Sequence, residues 1–135
     1  MINIYLKDSD TKLNRFLNSN EMDCKCDYSD CQYTYIEEST AFAFHQVRTF
    51  IGRSLSINSG YRCEKHNKDV GGVEASKHLI GHAVDIRIPE EFLDDEDRLD
   101  YLIEMCETFF DTVILYIGRR FIHCHMEPET ELRRQ

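Results

Sequence analysis

The sequence predicts an α+β domain with a small, mainly antiparallel sheet and flanking helices. Three observations carry that expectation. Residues 36–51 and 90–110 repeat apolar side chains at helical spacing. Residues 82–88 and 120–126 alternate apolar and polar side chains, as half-buried strands do. A tight turn around Gly118 and Arg119 joins the last of these to a further strand at 112–117.

In chain order, residues 1–34 show no clear period. Asn14, Asn18, Ser19 and Asn20 punctuate them, so the segment is expected to be irregular and to dock Leu13, Phe16 and Leu17 on a core elsewhere. Across 36–51, Ala43, Val47, Phe50 and Ile51 follow the 3.6-residue repeat with Phe44 beside them, and Gly52 is a natural stop. The run SLSINS at 54–59 alternates Leu55 and Ile57 with polar residues and reads as a strand. Residues 66–70 read as a short helix or turn ended by Gly71 and Gly72.

Between 82 and 88, Val84, Ile86 and Ile88 share one face while Ala83, Asp85 and Arg87 share the other, and Pro89 ends the strand. The longest amphipathic helix is expected over 90–110, with Phe92, Leu99, Leu102, Ile103, Cys106 and Phe110 inward. Its acidic start suits the positive end of a helix dipole, and that charge run reads as a solvated face. In the final strand Ile122, Cys124 and Met126 face one way, and Phe121, His123 and His125 the other. The polar tail 128–135 is expected to be loose.

A chain of 135 residues leaves room for one domain, 1–135, here expected to be a monomer. A net charge of −9 argues against a nucleic-acid partner and against adsorption to anionic lipid. No apolar run approaches the roughly 20 residues of a membrane span. The opening MINIYLKDSDTKLNRF lacks the features of a secretory signal, so synthesis and folding in a cytoplasm are expected. The six cysteines are accordingly expected to be reduced thiols, with Cys106 in the core. Cys24, Cys26 and Cys31 lie close together, but C-x-C-x4-C lacks the paired C-x2-C spacing of many zinc sites. They are read as loop cysteines without a ligand role, a second metal there being left open.

The chemistry concentrates in two places. His78 and Asp85 lie seven residues apart with Gly81 between them, and His123 and His125 occupy alternate positions of a short apolar run. A catalytic zinc takes three nitrogen or oxygen ligands from protein and keeps a fourth position for water. Imidazoles and a carboxylate on strands that bury one face and offer the other to a cleft fit a small zinc hydrolase. His82 falls on the face opposite Asp85 and is read as packing. His66 is read as loop support and His45 as structural, and Tyr61 and Tyr116 as sheet packing.

SGYR at 59–62, HN at 66–67, GG at 71–72, the S-x-H-x-x-G-x-A-x-D pattern of 76–85 and FIH at 121–123 together resemble the zinc D-alanyl-D-alanine carboxypeptidase family, peptidase family M15, over roughly 36–127. That family includes bacterial wall-cleaving enzymes and phage lysins. The segment DTVILYIGRRFIHCH also resembles the Hedgehog signalling domain, which shares the fold. The resemblance implies a Hedgehog/DD-peptidase-like architecture and Zn2+ held by His78, Asp85 and His123. Arg62 matches a family arginine that contacts substrate near the scissile bond, and Ser76 would bind substrate or support a ligand. The implied substrate is a peptidoglycan stem peptide, cut by a D,D-carboxypeptidase or an L-alanyl-D-glutamate-type endopeptidase. A phage endolysin released to the wall, or a virion-associated wall hydrolase, would fit.

Two departures bear on mechanism. Family members place a His two residues before the last ligand, or an acidic residue three before it, as catalytic base; here these positions are Phe121 and Arg120. His125 is the substitute base, with another cleft role or zinc ligation in place of His123 as its alternatives, and Glu127 is a weaker candidate. The missing base also leaves open a non-catalytic, zinc-stabilised binding module, or a phage structural protein of this fold.

Overall fold

Strands β6 (Ala83–Arg87) and β8 (Phe121–His125) run antiparallel through the middle of the principal sheet. β5 (Ile57–Ser59) flanks β6, and β7 (Thr112–Tyr116) flanks β8, giving the order β5-β6-β8-β7 with every neighbour antiparallel. This computed structural model describes residues 1–128; the tail expected to be loose lies, from 129 onward, outside the described residues. The architecture is α+β with small antiparallel sheets, as the periodicities predict.

Alternation decides which face of the sheet is dry. Val84, Ile86, Ile122 and Cys124 are fully buried and join Phe44, Val47, Leu102 and Cys106 in one core. The last four come from α1 (Glu38–Ile51) and α4 (Glu96–Phe109), which pack against each other. Each such side chain contributes roughly 1.5–3 kcal/mol. Exposed ion pairs such as Arg98–Asp95 add at most about 1 kcal/mol. Burial on one face of the sheet therefore holds the fold together. Among the described residues no helix is long and apolar enough to cross a membrane.

The N-terminal segment departs from the irregular reading of residues 1–34. β1 (Ile2–Leu6) pairs antiparallel with β4 (Tyr33–Glu37), and β2 (Lys12–Asn14) with β3 (Leu17–Asn18). Leu17 does dock on the core, while Phe16 stacks on His45 and receives Arg48 over its ring. β1 presents its alternating Ile2, Ile4 and Leu6 to solvent, so its pairing rests on backbone bonds and not on a buried stripe.

Other boundaries shift for local reasons. Ile36 lies within β4 instead of starting α1, and Phe50, expected on the core face, is half exposed and stacks on Phe109. The strand expected over 54–59 shortens to β5. α2 covers Glu64–Asp69. The helix expected over 90–110 is two: α3 (Glu90–Leu93) and then α4. Asp95 breaks it by capping α4, its carboxylate accepting from the Arg98 N–H at 3.2 Å. Between β7 and β8 the chain makes a 3-10 turn, Ile117–Arg119, followed by Arg120 in the left-handed region.

Candidate active site

The face of β6 and β8 opposite the core carries Asp85, His123 and His125. Asp85 and His123 are direct cross-strand partners, and Ala83 is opposite His125. Side chains at such positions stand about 5 Å apart at Cβ, which brings a carboxylate and an imidazole together without help from loops. His78 arrives from a 3-10 turn, Lys77–Ile80, that precedes β6.

Two residues build that turn. Ser76 caps it, its Oγ accepting from the His78 N–H at 3.2 Å. Gly81 ends it at φ +73°, and a Cβ there would stand 2.2 Å from the Tyr35 carbonyl oxygen. Only glycine fits both the backbone conformation and the close approach of β4. The spacing from His78 to Asp85 thus encodes a turn, a left-handed glycine and a strand.

The three side chains converge. The ligand atoms of His78, Asp85 and His123 lie within 4.8 Å of one another, a grouping able to hold a metal ion. His78 Nε2 is 3.2 Å and His123 Nδ1 2.9 Å from the same Asp85 oxygen, Oδ1. The outer imidazole nitrogens are engaged elsewhere. His78 Nδ1–H donates to the Gly60 carbonyl at 2.6 Å. His123 Nε2–H donates to His125 Nδ1 at 2.8 Å, and His125 Nε2–H donates to Glu127 Oε1 at 2.8 Å. Those partners leave electron pairs on both inner nitrogens, facing a carboxylate. Three such donors in a largely buried spot demand positive charge among them, as protons or as a cation. The donor set fits a divalent metal.

Electrostatics around Asp85 point the same way. Burial pushes its carboxyl up, but His123 and His78, when they carry the positive charge as protons on their inner nitrogens, outweigh that through hydrogen bonds and charge and hold it low, at about 2. Arg62 approaches the other oxygen, Oδ2, at 3.5 Å. Its guanidinium is itself fixed by Ser59 Oγ at 3.2 Å and by Asn67 Oδ1 at 2.9 Å. Gly72 makes room for this pair: a Cβ there would meet Asn67 Oδ1 at 2.1 Å and Arg62 Nη1 at 2.7 Å. Burial lowers the His125 imidazole from its ordinary value, Glu127 opposing and His123 assisting that effect.

The structure therefore brings together His78, Asp85, His123, His125 and Arg62, while Ser76 stands behind His78 as its cap. His82 faces away, donating from Nδ1 to the Met126 carbonyl at 3.0 Å with Nε2 3.6 Å from Glu37. Tyr116 stacks on Phe121 and Tyr61 packs on Tyr35. Two participants escaped the sequence reading. The Gly60 carbonyl sets the orientation of His78, and only the fold could show it. Asn67, which steers Arg62, was visible in the HN pair without a stated role.

The site thus joins a histidine from a turn to an aspartate and a histidine from the sheet, in an α+β fold, as a grouping able to hold a metal ion. The family model described as Peptidase M15 matches residues 15–125. The chain belongs to the M15 peptidase family, and it is a peptidase. A comparison with curated proteins gave no match.

Proposed function

We propose that this peptidase is zinc-dependent and hydrolyses the stem peptides of bacterial peptidoglycan, as a D,D-carboxypeptidase or an L-alanyl-D-glutamate-type endopeptidase. The observation that carries the reading is the convergence of His78, Asp85 and His123 on one point, inside a chain of this family. Two neutral imidazoles and one carboxylate suit zinc and leave the ion net positive. Bound there, zinc would polarise the scissile carbonyl and bring a water's pKa towards about 7.

The chain's own residues then have distinct tasks. Gly60 and His125 fix the ring orientations of His78 and His123, which keeps the inner nitrogens aimed at the ion. Ser76 holds the His78 turn in place. Arg62 steadies Asp85 and, through its forked cationic donor, stabilises negative charge on the substrate carbonyl or carboxylate. As base, His125 would exchange its His123 partner for the attacking water, take the water's proton on Nδ1 and return it to the leaving amine, Glu127 supporting the imidazolium through Nε2–H. This pair stands in for the base that Phe121 and Arg120 cannot provide. A wall substrate lies outside the cell, so the reading includes release of the protein, as in phage lysis or from a virion.

The test is incubation of the purified chain with zinc and muropeptides of defined sequence, with products read by mass spectrometry. Loss of a terminal D-alanine, or a cut after L-alanine, supports the proposal and names the bond. Intact muropeptides at high enzyme concentration, with metal retained, would leave a zinc-stabilised binding module instead.

A further inference from the structure

Cys24, Cys26, Cys31 and Cys63 meet on the side of the molecule built by the N-terminal segment. Their four sulfurs lie within 4.8 Å of one another, and all four thiols are free. Cys24 and Cys26 stand 3.7 Å and 3.8 Å from Cys63, sulfur to sulfur. A tetrahedral ZnS4 site with Zn–S of about 2.3 Å has sulfur–sulfur edges of about 3.8 Å. Two thiols in contact would also stand this far apart; what marks a site is that four sulfurs converge on one point.

The surroundings fit a set of thiolates. The Cys63 N–H points at Cys24 Sγ at 3.4 Å, and Lys7 Nζ lies 3.5 Å from Cys26 Sγ while donating to the Cys26 carbonyl at 3.0 Å. Hydrogen bonds and a neighbouring cation offset the excess negative charge that four thiolates leave on a divalent ion. The chain between the 3-10 turn Ser19–Met22 and β4 has neither helix nor strand, yet Cys24 is almost fully buried within it. Asp23 anchors one end of that loop, receiving the Asp8 N–H at 2.8 Å. Beyond Asp23 and outside the cysteine group, the loop is tied by Lys7 at Cys26 and by exposed pairs such as Tyr28 with Asp69 and Lys65 with Asp30. Such a loop needs a staple.

We infer that these four cysteines form a second, structural metal site that binds a thiophilic divalent cation, zinc above all. Three ligands come from one loop and the fourth from the segment ahead of α2, so the ion ties residues 24–31 to the stretch that carries Arg62. Four protein ligands close the coordination sphere, which makes this site structural and leaves hydrolysis to the histidine site. The inference stands whether or not the chain cleaves peptidoglycan.

The experiment uses the full chain purified anaerobically with zinc, alongside His78→Ala/His123→Ala and Cys26→Ser/Cys31→Ser double variants. Metal per chain is measured by inductively coupled plasma mass spectrometry after desalting. About two ions are expected in the wild type and about one in each double variant. Cobalt substituted into the histidine variant should give intense sulfur-to-metal charge-transfer absorption in the near ultraviolet. If the cysteine variant fails to fold, the histidine variant alone decides, because its four thiols are untouched. A histidine variant that holds no metal and shows no thiolate–cobalt band overturns the inference. So does an intact mass, taken without reductant, that lacks the hydrogens lost to two disulfides.

Discussion

The two groups of side chains able to hold a metal are built in opposite ways. His78, Asp85 and His123 are placed by strand register and a capped turn, and each outer nitrogen already has a protein partner. The cysteines sit on loops whose backbone makes few bonds of its own. In the first group the fold positions the side chains, and the proposed ion would add chemistry. In the second the inferred ion would position the fold. An incomplete ligand set can therefore serve catalysis where the scaffold is rigid, whereas a flexible scaffold calls for a complete one.

That contrast can be broken by substitution, and the largest effect belongs to the histidine group. Asp85→Ala or His123→Ala should lower muropeptide hydrolysis at least about a thousandfold, the several kcal/mol that a metal ion supplies, with the circular dichroism spectrum kept. One ion per chain should remain in either variant, and its loss along with the other would mean that the two sites are not independent. His125→Ala comes next. Activity should drop by about 100- to 10,000-fold while the metal content stays at the wild-type level. Metal loss instead would make His125 an orienting partner of His123 and not a carrier of protons.

Gly81→Ala probes the scaffold behind the first group. Its Cβ would press on the Tyr35 carbonyl in a left-handed conformation, so urea unfolding should show a loss of about 3 kcal/mol. Unchanged stability would mean that the turn carrying His78 is looser than described. Asp95→Ala is the smallest perturbation, removing the cap of α4, a helix that contributes no side chain to either group. It should cost about 1 kcal/mol and alter neither metal content nor turnover.

Much of the catalytic face was legible because strand alternation and ligand chemistry coincide there. In β6 and β8 the same period that buries Val84, Ile86, Ile122 and Cys124 turns Asp85, His123 and His125 outward. The N-terminal strands were not legible, because β1 is held by backbone pairing with a partner some thirty residues away and has no buried stripe. Cys63 stood apart from the other cysteines for a similar reason: only the folded chain brings it to Cys24, at a sequence separation of 39. The break between α3 and α4 hid inside an acidic run, where the capping role of Asp95 looks like one more solvated charge.

One feature of the central sheet reaches further than its geometry suggests. Because Asp85 stands directly across from His123, a slip of one residue between β6 and β8 would turn Ile122 and Cys124 into the cleft and press two imidazoles into the oily interior. Misaligned chains would thus forfeit their stability together with their grip on the ion. The apolar interior enforces the alignment that sets Asp85 beside His123, and a molecule whose sheet is in register has already brought these two together.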